Sequence, residues 1–420
     1  MKIEVKNLGP IKEGTISLDS DLILLTGPNN SGKSYLAYLV YGIMAIDNRK
    51  VVDGYYDWSH YMHSLQKQFS KNDSISIEKL IKILNADLNT YNLRIFSSKN
   101  INPNFYLKNA ANLKVELNPE KGFFLEPNIK LEQIIWVRTP FSMIAKNLFH
   151  SLKLPPTFFY PAERTAINML AKEVYREKSI ERDELAHLAL KEDWEKLKEL
   201  TQRKVVPRYP LAINDYIGFV YDLENTSKNE SEFASFADEI EELLLKGKIS
   251  LSEYGDIRFM PTGTEEVLEI HVSSSLVKSL SGLILYLRHS AKKGDLIIID
   301  EPELNLHPDN QRLMARVLAR MVNKGFKLMV STHSDYIIRQ LNNLIMLHNS
   351  ENEKAEELRK YYGYEEEDTL DFNRVVSYFF NGNSMQEIAA DEKGIDIPSI
   401  DTVVNDLNNE SQDIYFSLYE

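Results

Sequence analysis

No cysteine occurs among the 420 residues. Disulfides, thiolate metal sites and a cysteine nucleophile are therefore excluded, and nothing in the chain reports its redox compartment. Long apolar runs are also missing: none approaches the ~18–20 residues that a membrane helix needs. The opening residues, Met1-Lys2-Ile3-Glu4-Val5-Lys6, alternate polar and apolar and lack the apolar stretch of a signal peptide. Basic charge is in short supply. Lys and Arg number 49 against 62 Asp and Glu, a net charge of −13. Surfaces that coat nucleic acid are normally basic, so that role is disfavoured, although nucleic acid remains a possible partner through a local basic groove. No repeat of 20–50 residues is found. The remainder is ordinary globular composition, 43% hydrophobic and 26% charged, which excludes a disordered or fibrous chain. The expectation is a cytoplasmic protein of two or three folding units with no membrane partner.

Residues 1–26 read as three short strands, the last of them the unbroken apolar run Leu22-Ile23-Leu24-Leu25 of a strand buried on both faces. A glycine-bearing loop follows, then a helix from Tyr35 to Ile46 that is apolar nearly all round. The stretch 47–254 reads as an inserted lobe with a helical arm at about 165–250. Acids and bases are equally numerous between Lys172 and Lys204, as on a solvated helix rather than a DNA-binding tail. From 255 the pattern becomes regular. Strands at 257–260 and 267–272 precede a helix from Leu276 to Ser290, then strand 296–299, helix 311–323, strand 327–330 and helix 335–341. Strand–helix alternation implies a parallel sheet. Residues 349–420 read as a C-terminal α+β extension. Its acidic run Glu365-Glu366-Glu367-Asp368 fits a solvated loop, and a hairpin is expected across Asn381-Gly382.

Three motifs carry chemistry. Gly27-Pro28-Asn29-Asn30-Ser31-Gly32-Lys33-Ser34 matches the G-x-x-x-x-G-K-[ST] phosphate loop. The backbone from Gly27 through Asn29, Asn30, Ser31 and Gly32 can close round phosphates at a helix N-terminus. Lys33 would reach the β- and γ-phosphates, and Ser34 would ligate Mg²⁺. Leu296-Ile297-Ile298-Ile299-Asp300-Glu301 is an apolar strand ending in carboxylates, which places Asp300 as the second Mg²⁺ ligand. Glu301 would polarise a water for attack on the γ-phosphate. Ser331-Thr332-His333-Ser334 ends the next strand, where His333 faces the same crevice and can contact the γ-phosphate or the attacking water.

Together these residues resemble the ABC class of P-loop ATPases. The segment Asp300-Glu301-Pro302-Glu303-Leu304-Asn305-Leu306-His307-Pro308 is similar to the Asp-Glu-Pro-Glu…Leu-His-Pro stretch of the SMC-like and OLD-family ATPases, whose relatives include the ATPase subunits of anti-phage systems of the PARIS and Septu type. The resemblance covers roughly residues 1–45 and 255–348. It implies an α/β fold: an ABC-type core at 1–46 and 255–348, with a mostly parallel sheet and antiparallel N-terminal strands, joined to a helical insertion. It also implies a signature element at the start of the helix before the Asp-Glu strand. Ser273, Ser274 and Ser275 occupy that place, though Ser275 stands where a glycine is usual; Ser279-Leu280-Ser281-Gly282 is the other candidate string. A glutamine loop should contact Mg²⁺, with Gln133, Gln66 and Gln68 as candidates. Tyr160-Pro161-Ala162-Glu163-Arg164 is either a strand end that brings Arg164 near the nucleotide or a turn with a local Glu–Arg pair.

In this class the signature of one protomer completes the ATP site of another, with ATP and Mg²⁺ as cofactors. The resemblance thus implies a homodimer or higher oligomer of ATPase cores. It further implies hydrolysis of ATP to ADP and phosphate in the service of a separately encoded effector, expected to be a nuclease, in anti-phage defence. The alternative is a RecF-like ATPase acting in DNA repair.

Overall fold

The computed structural model describes residues 1–48, 104–108, 114–118, 122–126, 154–175, 208–349 and 353–419. The candidates Gln66, Gln68 and Gln133 lie outside them, as do residues 176–207 of the stretch expected to be a helical arm. Strands β1 (Lys2–Leu8), β2 (Ile11–Ser17) and β3 (Leu22–Thr26) lead into helix α1 (Lys33–Asn48). Then come β4 (Asn104–Lys108), β5 (Lys114–Asn118), β6 (Gly122–Glu126), β7 (Thr157–Tyr160) and α2 (164–175). Helices α3 (Leu211–Tyr221) and α4 (Ala234–Ile240) precede strands β8 (Gly247–Leu251), β9 (Ile257–Pro261) and the two-residue β10 (Leu268–Glu269). The chain continues through α5 (Ser275–His289), β11 (Leu296–Asp300), α6 (Pro308–Asn323), β12 (Lys327–Ser331), α7 (Asp335–Asn349) and α8 (Glu353–Tyr362). Strands β13 (Val375–Phe380) and β14 (Met385–Ala389) and helix α9 (Pro398–Tyr419) end it.

The described residues form three sheets. A mixed six-stranded sheet runs β14-β13-β3-β12-β11-β7, parallel except for β14. An antiparallel sheet runs β2-β1-β4-β5-β6, and β10-β9-β8 forms a third, also antiparallel. The fold is therefore α/β, with a mostly parallel central sheet and antiparallel N-terminal strands, as expected. Alternate residues of the central strands serve two cores, which is why their sequences read as continuous apolar runs. Leu22, Leu24, Ile297, Ile299, Leu328 and Val330 pack with α5, α6 and α7. Ile23, Leu25, Leu296, Ile298 and Met329 pack with α1 and with Ile3 and Val5 of β1. Among the described residues no helix is long and apolar enough to cross a membrane.

Four features depart from the sequence expectation. Strand β8 falls in the stretch expected to be a helical arm, and the expected strand 267–272 shortens to β10 plus a 3₁₀ turn at Ile270–Val272. Strand β13, expected in a separate extension, pairs in parallel with β3 and so lies inside the core sheet. The acidic run Glu365–Asp368 is solvated only in part: Glu365, Glu366 and Glu367 are exposed, as expected, but Asp368 is not. Asp368 is fully buried and accepts hydrogen bonds from Arg316 Nη2 and Arg320 Nε, both at 2.7 Å. Two guanidiniums on α6 replace the water that its carboxylate gives up.

Candidate functional site

The loop between β3 and α1 needs its glycines. Gly27 sits at φ +127°, where an added Cβ would lie 2.3 Å from the Phe380 carbonyl oxygen; Gly32 sits at φ +104°, against Ile11. Asn30 takes the left-handed conformation at φ +60°, which its short polar side chain tolerates. The Leu36 N–H then donates to Gly32 O and opens α1. Lys33 folds back over this loop and donates to Gly27 O at 3.0 Å and to Pro28 O at 2.8 Å. Burial pushes its ammonium down to about 8, while the neighbouring Glu301, Asp300 and Glu303 oppose the shift.

The parallel register of β3, β12 and β11 brings the motif ends together. Asp300, 3% exposed, accepts hydrogen bonds from the hydroxyls of Ser34, at 3.3 Å, and Ser331. Burial raises its carboxyl above the ordinary range. Glu301 is held at φ +50°. Its N–H donates to Ser331 O at 3.1 Å, and its carbonyl accepts from Arg164 Nη2 at 2.7 Å. The Glu301 side chain is 31% exposed, and Oε1 lies 4.0 Å from His333 Nε2. Burial also raises Glu301. Burial and then Lys33 lower His333, so its imidazole is neutral at neutral pH and the contact is not an ion pair.

Arg164 settles the question left open by its sequence. It is wholly buried, and its donors go to Ser279 Oγ and to the carbonyls of Pro161, Asp300 and Glu301. The guanidinium clamps the backbone that carries the two carboxylates; the pair with Glu163 is not what holds it. Sequence reading missed this clamp, along with Ser331 and Glu303. An arginine four residues past a buried strand end was the available signal for the clamp.

The serine candidates stand at the start of α5. Ser273 is buried and donates to Glu269 O at 3.1 Å. Ser274 is the N-cap, accepting from Val277 N, and Ser275 is the exposed first helical residue. The competing string lies one turn further in and is buried. Gly282 there lets the Tyr216 hydroxyl approach, since a Cβ would lie 1.9 Å from it. Only Ser274 and Ser275 among these residues are open to an incoming group.

Asp300 and Ser34 offer a carboxylate and a hydroxyl side by side. Among the described residues no group of three or more His, Asp or Glu that could hold a metal ion is found, here or elsewhere. Such a sparse oxygen set fits Mg²⁺, which keeps water ligands and takes phosphate oxygens for the rest of its shell.

The family model described as an AAA ATPase domain (AAA_15) matches residues 1–338. No curated protein matches. Solved structures that match include the Smc head domain with an extended coiled coil bound to the C-terminal domain of ScpA, from Pyrococcus furiosus. It is 13% identical, with TM-score 0.36 and 98% of each chain covered. The SmcHead bound to the C-winged helix domain of ScpA is 13% identical, with TM-score 0.39 and 92% and 97% covered. The SMC head domain from Thermotoga maritima is 12% identical, with TM-score 0.36 and 93% and 98% covered.

Proposed function

Because the chain belongs to the AAA ATPase domain family, we propose that it binds and hydrolyses ATP as an ABC-class ATPase. The observation that carries this reading is the convergence of Lys33, Ser34, Asp300, Glu301 and His333 at one edge of the parallel sheet. Ligands of open α/β sheets bind at that edge. The loop N–H groups, the α1 N-terminus and Lys33 hold the phosphates. Ser34 and Asp300 would hold Mg²⁺, which when bound neutralises charge on the β- and γ-oxygens. The Glu301 carboxylate takes a proton from water as the oxygen attacks the γ-phosphorus, and ADP departs from the opposite side. Neutral His333 hydrogen-bonds the reacting phosphate or that water. The raised Glu301 favours proton acceptance once ionised.

The exposed start of α5, with Ser274 and Ser275, supports a composite site in which a second copy supplies these serines to the γ-phosphate. Assembly would then follow ATP. Regulation of a separately encoded nuclease in anti-phage defence is the output we assign, on the likeness of the Asp300–Pro308 segment. The test begins with Lys33→Ala, which should remove binding of a fluorescent ATP analogue. Light scattering with Mg·ATP should show a larger mass for Glu301→Gln than without nucleotide. Wild-type nucleotide affinity in Lys33→Ala overturns the site, and a mass that never changes overturns ATP-driven assembly. Hydrolysis stimulated by DNA, with steep salt dependence, would move the assignment to the RecF-like alternative.

A further inference from the structure

Two glutamates stand two residues apart after β11, and their surroundings differ. Glu301 looks into the cleft. Glu303 turns under the loop that joins β12 to α7. Its Oε1 accepts two hydrogen bonds, from the Thr332 hydroxyl at 3.0 Å and from the His333 backbone N–H at 2.6 Å. Its Oε2 is buried and has no hydrogen-bond partner. The bonding continues outward from there. Ser334 N donates to Thr332 Oγ1 at 3.0 Å, and Ser334 Oγ accepts from Ile337 N at 3.1 Å, capping α7. Ser334 Oγ also donates to Gln311 Oε1 of α6 at 2.5 Å. At the other end, Glu303 O accepts from Leu306 N at 2.9 Å, within the loop that leads to α6.

The His333 N–H is therefore fixed by a side chain from a neighbouring loop and not by the sheet ladder. We propose that Glu303 is the positioning residue of His333. Its carboxylate sets the turn so that the imidazole faces Glu301, and any shift of the loop 303–306 is passed to His333. This rests on the ATPase reading and deepens it, because that loop leaves the same cleft. Acceptance through one oxygen is all that the role requires. An amide oxygen can do the same, so Gln suffices at 303 but not at 301, where proton transfer needs a carboxylate. Asp is one methylene too short to reach.

The experiment compares Glu303→Gln, Glu303→Ala and Glu303→Asp in the full chain. Amide hydrogen exchange over residues 331–336 is read alongside steady-state hydrolysis. The Ala and Asp variants should exchange this segment at least ~10-fold faster, because the hydrogen bond that holds the His333 N–H is lost. They should lower kcat about tenfold with KM for ATP changed less than about twofold. Glu303→Gln should recover most of both losses. Wild-type exchange in Glu303→Ala, or a Gln variant as impaired as Ala, overturns the proposal. If the wild type turns over no ATP, it is the ATPase reading that fails. Exchange alone then decides the positioning role, which stands if Gln protects and Ala does not.

Discussion

Asp300 and Asp368 are both buried carboxylates at the edges of packed elements, yet their surroundings push them in opposite directions. Asp368 faces two arginines and the Glu365 N–H; Arg316 and Arg320 hold its carboxyl below the usual range despite burial. Asp300 receives two hydroxyls, and burial drives it up. A buried charge with a full set of opposite charge and donors is a fastener. Asp300 has only hydroxyls as direct donors, with Lys33 and Arg164 acting on it at longer range, so its charge is less fully compensated, in keeping with the Mg²⁺ role proposed for it. The two regions thus separate stability from chemistry within one chain.

Four experiments sharpen or break that contrast. Glu301→Gln, in the under-compensated region, should lower the ATP turnover number by on the order of 10²–10⁴ while nucleotide binding survives. Turnover at the wild-type rate would remove the base from the cleft. Asp368→Ala should cost about 3–5 kcal/mol in denaturant unfolding, since it strands two arginines, and should leave ATP affinity unchanged. Asp300→Asn should do the reverse, raising stability by about 1 kcal/mol at pH 7 while abolishing Mg²⁺-dependent nucleotide binding. The pH dependence separates the two. A lowered carboxyl stabilises above its unfolded value and loses that contribution as pH falls through its folded one. A raised carboxyl stabilises below its unfolded value and loses it as pH rises through its folded one. The Asp368 substitution should therefore flatten the acid limb of the stability profile, and the Asp300 substitution should remove a loss incurred on the way to neutrality. The same limb in all three proteins would break the comparison. The smallest effect is expected at the α5 N-cap, where Ser274→Ala should lower the melting free energy by ~1 kcal/mol.

Much of the core was legible because its signals are local. A run such as Leu296–Ile299 is apolar without alternation, and Gly27 to Ser34 follows another such run; both patterns survive without knowledge of neighbours. The hairpin of β13 and β14 was likewise readable from Asn381-Gly382. What failed was long-range. Nothing in Val375–Phe380 says that its partner is β3. Four consecutive acids read as solvated until Arg316 and Arg320, 52 and 48 residues from Asp368, are seen to enclose one of them. Glu303 escaped notice for the same reason. Its role lies in a contact with β12's end, which no spacing rule encodes.

The position of β13 beside β3 also dictates an order of events during synthesis. Thr26 and Ser377, whose hydroxyls lie 3.3 Å apart, are separated by 351 residues. Translation at ~5–20 residues per second puts roughly twenty to seventy seconds between their emergence from the ribosome. Throughout that interval Leu22-Ile23-Leu24-Leu25 has an unpaired edge, the kind of surface that recruits other strands. The nascent chain must therefore be shielded from its neighbours until its last sixth is made, and a stop codon placed before residue 375 should yield an insoluble product rather than a smaller active core.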